Sequence, residues 1–426
     1  MTEHLLHYIW QYQLFSKSDL LTKSGKRFTV LHPGFYNTQS GADFFHARLQ
    51  FEDAVLAGNV ELHIRQNDWE KHQHQRDAAY NNTILHVVYE AAETNSPLQN
   101  GYTVETLELK DRLDDHMLWR YEQLMAQQQK MPCEKQFPDY ADSERFTLFL
   151  ERLNIERLEQ KVRHLQQMLQ QSKFHWDEVA YKLIATYLGA PVNKEPMLQL
   201  TLAAPLLLVA KCCEEKQRLE ALLFGQAGLL EGNWEEDYPK QLRDEYRYLK
   251  RLHHLDSMDG SCWKFMRMRP ASFPVLRIAE LAALLYRNAF FFTDILESDS
   301  REKILQLFQV SLHGYWQHHA RFGQPLARPL TQLGSATRDS LLINAVAPLL
   351  FVYGKRYDEE RKCELALDLL RHTPPENNSV IRHFKQMGVR ISSAQNSQAL
   401  LQLQQHYCDK KRCLYCDVGR KIILQK

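Results

Sequence analysis

The feature that most constrains the fold of this 426-residue chain is a long region of helical periodicity at residues 141–404. Its segment ERFTLFLERLNIERLEQKVRHLQQMLQQ carries apolar residues every three or four positions, which is typical of an amphipathic helix. Residues 1–115 instead combine one helix with short runs of β-branched and aromatic residues, which favour strands. The sequence therefore predicts an α+β protein with an α/β domain at 1–115, a linker or crossover at 116–140, an all-helical domain at 141–404 and a cysteine-rich tail at 405–426.

Charge and composition exclude several classes of protein. Lys and Arg together number 53 and Asp and Glu together number 52, so a nucleic-acid surface would have to be a local patch. No secretory signal precedes the first helical pattern, and the longest apolar runs are too short to cross a bilayer. Eight cysteines, several of them clustered, fit a reducing compartment better than a disulfide framework. We expect a cytoplasmic protein without a membrane span, and the sequence identifies no protein partner.

The first domain has a predicted element order of α-β-β-β-α-β. A helix ends near Ser16, KRFTVLHPG forms a strand, and GADFFHARLQFEDAVLAGNVELHIRQ forms two strands joined by a tight turn around Glu52 and Asp53. Asn67 or Asp68 caps a helix over DWEKHQHQRDAAY, and the apolar NTILHVVYEA follows as a buried strand. This order predicts a mixed sheet with helices packed against it.

Two carboxylates and a histidine in this domain are candidate metal ligands. Asp43 lies in GADFF, whereas Glu61 and His63 lie in NVELH, two residues apart on one face of a strand. Carboxylate oxygens suit Mg²⁺ or Mn²⁺, which can polarise a phosphate and activate an attacking water. A zinc site built from Glu61, His63 and His72 is the alternative, because imidazole nitrogen with one carboxylate is a zinc ligand set.

The predicted helix after these strands concentrates further polar residues. His72, Arg76 and Tyr80 are spaced i, i+4 and i+8 and would share one helix face, with His74 on a neighbouring face. A solvated helix face is the simplest interpretation of this pattern. His86 lies in an apolar strand, where a hydrogen-bonded core histidine is the expected role.

These residues resemble the metal-binding core of PD-(D/E)XK nucleases. The resemblance implies that an acidic residue on one strand and an acid-x-Lys pair on the next hold one or two Mg²⁺ ions, with Asp43 and Glu61 at the acidic positions. His63 occupies the lysine position and is assigned a catalytic or ligand role, although histidine near neutral pH is only partly charged. Arg76 and Tyr80 loosely match a polar residue and a tyrosine that face the catalytic site in RecB-like nucleases. The implied partner is nucleic acid, with DNA favoured over RNA.

The tail predicts a second metal site. Cys408, Cys413 and Cys416 have C-x4-C-x2-C spacing, and His406 lies two residues before the first of them. Thiolates suit Zn²⁺ or an iron-sulfur cluster, with His406 or a distant cysteine such as Cys133 as the fourth ligand. Some RecB-like nucleases carry a C-terminal cysteine triplet with one upstream cysteine, and Cys133 resembles that partner. Three reduced cysteines in an ordered turn are the alternative.

The whole chain is also similar to an uncharacterised bacterial family, a domain of unknown function common in Bacteroidetes. The strings that carry this similarity are SGADF, GNVELHIRQNDWEKHQH, ILHVVYE, LEALLFGQAGLLEG, WKFMRMRPASFPVLRIAELA and the CxxxxCLYCDVG tail. The family implies no established activity. The predicted function is that of a metal-dependent nuclease-like protein, with a catalytically degenerate nucleic-acid-binding or assembly scaffold as the first alternative and a zinc-dependent hydrolase of a non-nucleic substrate as the second.

Overall fold

The computed structural model describes residues 1–52, 54–330 and 332–425 and divides into two compact units. The N-terminal unit contains Met1–Tyr140 and Gln404–Lys426, and the helical unit contains Ala141–Leu403. The α+β class is confirmed, because a mixed sheet near the N-terminus is followed by many helices.

The N-terminal unit is built on one sheet. Its elements up to residue 141 are α1 (Glu3–Gln11), β1 (Phe28–His32), β2 (Phe35–Tyr36), β3 (Phe44–Phe51), β4 (Val55–Arg65), α2 (Asp68–Lys71), β5 (Thr83–Glu90), β6 (Ser96–Pro97), β7 (Thr103–Glu108), α3 (Asp115–Ala126) and α4 (Pro138–Ala141). The strand order is β1-β3-β4-β5-β7-β6, and β2 pairs with β3. Strands β1, β3 and β4 are antiparallel neighbours, whereas β5 runs parallel to β4, and β7 runs parallel to β5. A parallel pair needs a crossover, and residues 66–82 supply it between β4 and β5.

The register of β3 and β4 places the two candidate carboxylates next to each other. Phe44 pairs with Val60, so Asp43, just before β3, lies opposite Glu61. The register shifts between Phe44 and Ala47, where His46 adopts a left-handed conformation with φ of 60°. A β-bulge of this kind bends its strand locally, here beside the end that carries Asp43.

Two predicted helices differ from the observed ones. The first helix ends at Gln11 rather than near Ser16. The helix predicted over residues 68–80 is one α-helical turn, α2, followed by short 3₁₀ turns at His74–Arg76 and Ala78–Tyr80. It breaks at Gln73, whose φ of 60° is left-handed. The predicted hairpin turn included Asp53, which lies outside the described residues.

The helical unit contains fifteen helices and a short hairpin that the all-helical prediction missed. They are α5 (Glu144–Gln171), α6 (Trp176–Leu188), α7 (Lys194–Ala203), α8 (Leu206–Cys212), α9 (Lys216–Gln226), α10 (Asp237–His253), α11 (Pro274–Arg287), α12 (Phe291–Glu297), α13 (Arg301–Leu307), α14 (Tyr315–His318), β8 (His319–Arg321), β9 (Gln324–Pro325), α15 (Ser335–Leu341), α16 (Ala347–Tyr357), α17 (Glu360–His372), α18 (Ser379–Gln386) and α19 (Ala394–Leu403), within the described part of the unit. The amide of Phe146 donates to the Ser143 side chain, which caps the N-terminus of α5. Apolar side chains of these helices form one continuous core.

The remaining helix, α20 (Asp417–Ile423), belongs to the N-terminal unit and packs against α3. Within the described residues, no single helix combines the length and the apolar composition needed to cross a membrane. One bent pair, Lys194–Ala203 with Leu206–Cys212, meets those two criteria together.

Candidate metal centre

Asp43 and Glu61 hold each other in place through the backbone. The amide of Asp43 donates to Glu61 Oε2 over 3.0 Å, and the amide of Leu62 donates to Asp43 Oδ2 over 2.9 Å. Asp43 is partly buried, whereas Glu61 is 5% exposed. The two carboxylates are therefore fixed side by side at the edge where β3 begins.

Three histidines face these carboxylates. His63 Nε2 lies 3.0 Å from His72 Nδ1 and 3.3 Å from His74 Nε2. Glu61 Oε1 lies 3.3 Å from His74 Nε2 and 3.7 Å from His63 Nε2. Tetrahedral ligands at zinc–nitrogen distances of about 2.0–2.1 Å stand roughly 3.3 Å apart. The three imidazole nitrogens lie within 4.8 Å of one another and could hold one metal ion, and Glu61 lies beside them. We call His63, His72 and His74 the histidine cluster.

The break at Gln73 explains why both His72 and His74 reach His63. Two residues apart on a regular helix, their side chains would point to nearly opposite faces. The left-handed Gln73 between them turns the chain, so His74 begins a new 3₁₀ turn and faces the same point as His72. The predicted i, i+4, i+8 face of His72, Arg76 and Tyr80 was therefore wrong.

The other two residues predicted on that face have different positions. Arg76 is exposed. Tyr80 is 9% exposed, and its ring packs on His74 with the ring centroids 3.9 Å apart. Tyr80 thus supports a histidine of the cluster.

Burial and neighbouring ionisable groups shift the pKa values of several residues in this centre. Burial and the Asp43 carboxylate raise the pKa of Glu61 to about 9. Burial and the neighbouring histidines lower the pKa of His63 to about 2, and burial lowers the pKa of His74. Neutral imidazoles present lone pairs, and two adjacent carboxylates gain from a positive ion between them. The donor set therefore fits a divalent metal ion.

A second layer of buried groups orients the cluster. His63 Nδ1 lies 2.9 Å from His86 Nε2, and His86 Nδ1 lies 2.7 Å from Ser96 Oγ. His86 and Ser96 are both fully buried. Metal-binding histidines usually give their other ring nitrogen to such a partner, which fixes the ring and its tautomer.

The centre opens to solvent on one side. Glu61, His63 and His74 are buried, whereas His72 is exposed. Lys71 and Arg76, near His72 in the chain, are exposed as well. The solvent-exposed side of the centre is therefore at His72.

The cysteines of the predicted tail site lie in the same unit. Cys133, Cys408, Cys413 and Cys416 are all 5–6% exposed. Burial and the thiols of Cys416 and Cys413 raise the pKa of Cys133, and burial and the other three thiols raise the pKa of Cys408. The structure thus places Cys133 near the C-terminal triplet. His406 is half-buried nearby in the chain.

Local structure around the tail allows this approach. A π-helical turn at Gln404–Cys408 is followed by a 3₁₀ turn at Cys413–Tyr415, and α20 starts directly after Cys416. A Cβ atom on Gly419 would lie 2.3 Å from the carbonyl oxygen of Cys413. Glycine is therefore required where α20 meets the cysteine turn.

Sequence reasoning singled out most of these residues but not their roles. It gave His74 a place on a neighbouring helix face, although His74 faces His63. It left out His7, whose Nε2 lies 3.1 Å from Asp43 Oδ2. A histidine 36 positions before its partner leaves no local pattern in the sequence.

Residues 3–379 match the model of the family described as Protein of unknown function (DUF2851). The chain belongs to this family, which confirms the predicted membership of an uncharacterised family. The match includes the histidine cluster, both carboxylates and Cys133, and it ends before the C-terminal cysteine triplet. No curated protein and no solved structure matches the chain. The resemblance to PD-(D/E)XK nucleases stays a prediction.

Proposed function

We propose that this family member is a metal-dependent nuclease-like hydrolase that cleaves phosphodiester bonds in nucleic acid at the centre formed by Asp43, Glu61 and the histidine cluster. The observation that carries the proposal is the grouping of three imidazoles beside the Glu61 and Asp43 carboxylates, with the side at His72 open to solvent. Such a set serves no evident packing purpose, because buried ionisable groups are costly unless they are paired or bind a metal.

The order of elements supports a nuclease-like core. Apart from the additional two-residue strand β2, a helix, three antiparallel strands, an irregular crossover and a parallel strand follow one another in the order that the PD-(D/E)XK resemblance predicts. Asp43, just before β3, lies opposite Glu61 in β4, which is compatible with the acidic pair of that resemblance. These two facts favour a phosphodiester substrate over other hydrolysable bonds.

The donor atoms bear on the choice of metal. The sequence predicted Mg²⁺ or Mn²⁺ on carboxylate oxygens, but Mg²⁺ prefers oxygen ligands and rarely takes three imidazoles. Imidazole nitrogens favour Fe²⁺ or Zn²⁺, and we propose an ion of this kind. When bound, such an ion stabilises phosphate charge and lowers the pKa of an attacking water.

The chain's own residues then have separate tasks. Glu61 and the histidine cluster hold the ion, and the Leu62 amide keeps the Asp43 carboxylate directed at the centre. His63 stands at the lysine position of the resemblance, but its lowered pKa makes it a ligand rather than a fixed positive charge. Arg76, an exposed cation near His72 in the chain, could contact a phosphate there, whereas Lys71 forms an ion pair with Asp68.

The test is cleavage of single-stranded, double-stranded and branched DNA and RNA with Mn²⁺, Fe²⁺, Zn²⁺ or Mg²⁺. Glu61→Gln, Asp43→Asn and His72→Ala should each lower the cleavage rate by at least about 100-fold. Removing a group that only hydrogen-bonds to a metal ligand already costs about 10- to 100-fold, and removing a residue of the centre itself should cost more. Glu70→Gln is the matched control, because Glu70 is an exposed acid on the same crossover. Its rate should equal that of the wild type.

Failure to cleave any of these substrates, by folded protein that holds its metal, would overturn the nuclease proposal. Tight binding of nucleic acid without cleavage would then identify the degenerate scaffold. The nitrogen-rich donor set favours a second candidate, a zinc-dependent hydrolase of a non-nucleic substrate. Stoichiometric zinc with hydrolysis of small activated esters, and none of phosphodiesters, would establish it.

A further inference from the structure

We propose that single-stranded nucleic acid binds to a surface formed by the C-terminal tail and α1, with its phosphates on Arg412 and Arg420 and its bases on Tyr12 and Tyr415. We call these four residues the tail patch. This inference rests on the proposed function for the class of its partner, and it adds the strand type and the surface that holds it. All four residues belong to the N-terminal unit.

The tail carries a local excess of positive charge. Residues 408–421 contain five Lys and Arg residues but only two acidic residues, whereas the whole chain has a formal net charge of +1. Lys410, Lys411 and Arg412 are exposed. A positive surface of this kind attracts the phosphates of a polyanion, and such binding weakens as the salt concentration rises.

Aromatic rings connect the two arginines of the patch. The guanidinium carbon of Arg412 lies 5.5 Å from the centre of the Tyr415 ring, and that of Arg420 lies 5.2 Å from the centre of the Tyr12 ring. The buried Tyr8 ring links these rings, with its centroid 5.9 Å from that of Tyr415 and 4.6 Å from that of Tyr12. Cations and rings therefore form one continuous cluster from Arg412 to Arg420.

The accessible rings favour a single strand over a duplex. Tyr12 is 42% exposed, and Tyr415 is half-buried. The bases of a single strand are free to stack on such rings, and proteins that bind single strands combine aromatic side chains with a positively charged surface. The bases of a duplex are already stacked on one another and would gain nothing from the rings.

The backbone presents Arg412 in a fixed turn. The Arg412 amide donates to the Tyr407 carbonyl over 2.8 Å, and the Lys411 amide donates to the Cys408 carbonyl over 3.0 Å. Lys411 has a left-handed φ of 50°, which turns the chain directly before Arg412. A side chain that is presented by an ordered turn loses less freedom when it binds a phosphate.

The patch extends towards the metal centre. The His4 ring lies 5.4 Å from the Tyr415 ring. Partial burial, His7 and Arg412 lower the pKa of His4, so both residues lie near its ring. His7 follows His4 by one turn of α1, and its Nε2 lies 3.1 Å from Asp43 Oδ2. A strand bound at Arg412 would therefore reach the metal centre along α1.

The experiment measures the binding of a labelled single-stranded DNA of about 20 nucleotides to the full-length protein, by fluorescence anisotropy without added divalent ions. Arg412→Gln should weaken binding about 10-fold and lower the slope of log affinity against log salt by about 0.7, because one phosphate contact is lost. Arg412→Lys should keep most of that slope, since it keeps the charge. Arg27→Gln is the matched control and should behave like the wild type, because Arg27 is an exposed arginine of the same unit that pairs with Asp19.

The stacking role of Tyr12 has its own readout. Tyr12→Leu should weaken single-strand binding at least about 5-fold without changing the salt slope, because a stacked base is lost but no phosphate contact. Tyr102→Leu is the matched control, since Tyr102 is 74% exposed in the same unit. A duplex of the same sequence should bind more weakly than the single strand, and Tyr12→Leu should leave duplex binding unchanged.

Unchanged single-strand binding in either Arg412→Gln or Tyr12→Leu, or no binding by the wild type, would overturn the tail patch. So would a preference for duplex DNA or for phosphatidylserine vesicles over the single strand. A protein that binds single strands through Arg412 and Tyr12 but cleaves no phosphodiester would leave this inference standing while overturning the proposed function. Cleavage by a protein whose affinity does not depend on these residues would do the opposite.

Discussion

The Nδ1 atom of His63 lies 2.9 Å from the Nε2 atom of His86, and both rings are buried. When both rings are neutral and these two nitrogens form a hydrogen bond, only one of the two carries a hydrogen and the other accepts it. If His63 Nε2 is a metal ligand, the proton must be on His63 Nδ1, and His86 must accept it. His86 Nδ1 then donates to Ser96 Oγ, which completes a chain of fixed polarity.

This chain makes His86 a positioning residue for the metal. His86→Phe keeps a ring of similar size but leaves the His63 Nδ1–H without its acceptor. We expect a metal affinity about 10- to 100-fold weaker, measured by competition with a coloured chelator. Ser96→Ala should have a smaller effect because it acts one bond further away. An unchanged affinity in His86→Phe would show that His63 is not oriented through His86.

The cysteine site should contribute to stability rather than to chemistry at the metal centre. Cys133→Ser removes the sulfur that comes from outside the tail, so one zinc ion or one cluster per chain should be lost. We expect the free energy of unfolding to fall by about 3 kcal/mol or more, because metal binding stabilises only the folded state. Elemental analysis, visible absorption and denaturant unfolding measure these effects.

Cys212→Ser is the matched control for that variant, since Cys212 is 1% exposed but lies in the helical unit. It should keep the full metal content. Equal metal content in Cys133→Ser and the wild type would contradict the four-cysteine ligand set. A visible charge-transfer band would identify iron and sulfide, and a colourless protein with bound metal would identify zinc.

Close packing of α9 against α10 gives a prediction about the helical unit. A Cβ atom on Gly225 would lie 2.1 Å from ring carbons of Tyr246, so the ring rests directly on the α9 backbone. Gly225→Ala should destabilise the protein by about 1–3 kcal/mol through overpacking. Gly334→Ala is the control, because the nearest atom to its Cβ is 3.9 Å away and its φ is negative. Chemical denaturation of both variants checks the difference, and equal stability would contradict it.

The neighbouring carboxylates followed from the sequence, whereas the histidine geometry did not. The alternation in residues 44–65 and the short link between two strands predict an antiparallel pair, and such a pair places Asp43 beside Glu61. No Gly or Pro interrupts residues 68–80, so periodicity extended one helix through them. The left-handed Gln73 is imposed by tertiary packing, and only that conformation brings His74 to the cluster.

Contacts between residues far apart in the sequence could not be predicted from local sequence patterns either. His7 and Asp43 meet because α1 packs against β4 and β2, a contact that hydrophobic periodicity does not specify. Cys133 was proposed as a partner of the tail from thiol chemistry and resemblance, not from any spacing in the chain. Ligand types can therefore be recognised in a sequence, but the sets they form depend on the tertiary fold.

Lys161 provides a prediction about pH. Its Nζ is buried and donates to the Ile343 carbonyl, Asn344 Oδ1 and Gln398 Oε1 over 3.0–3.3 Å, all of them uncharged acceptors. Burial lowers the pKa of Lys161 to about 7, and the Arg157 guanidinium adds to the effect. An unfolded lysine keeps its proton up to a pKa of about 10.4. Between these values the unfolded chain binds more protons than the folded one, so stability rises with pH.

Below pH 7 Lys161 is protonated in both the folded and the unfolded state, so the free-energy cost of burying its charge does not change with pH. From pH 7 to pH 9 the folded state should gain about 2 kcal/mol from loss of this proton. Urea unfolding of the wild type and Lys161→Met at both pH values isolates this gain, because the variant lacks the titrating group and keeps all others. Lys211→Met, at an exposed position of the same unit, should behave like the wild type. Parallel pH curves for the wild type and Lys161→Met would show that the buried amine keeps its proton.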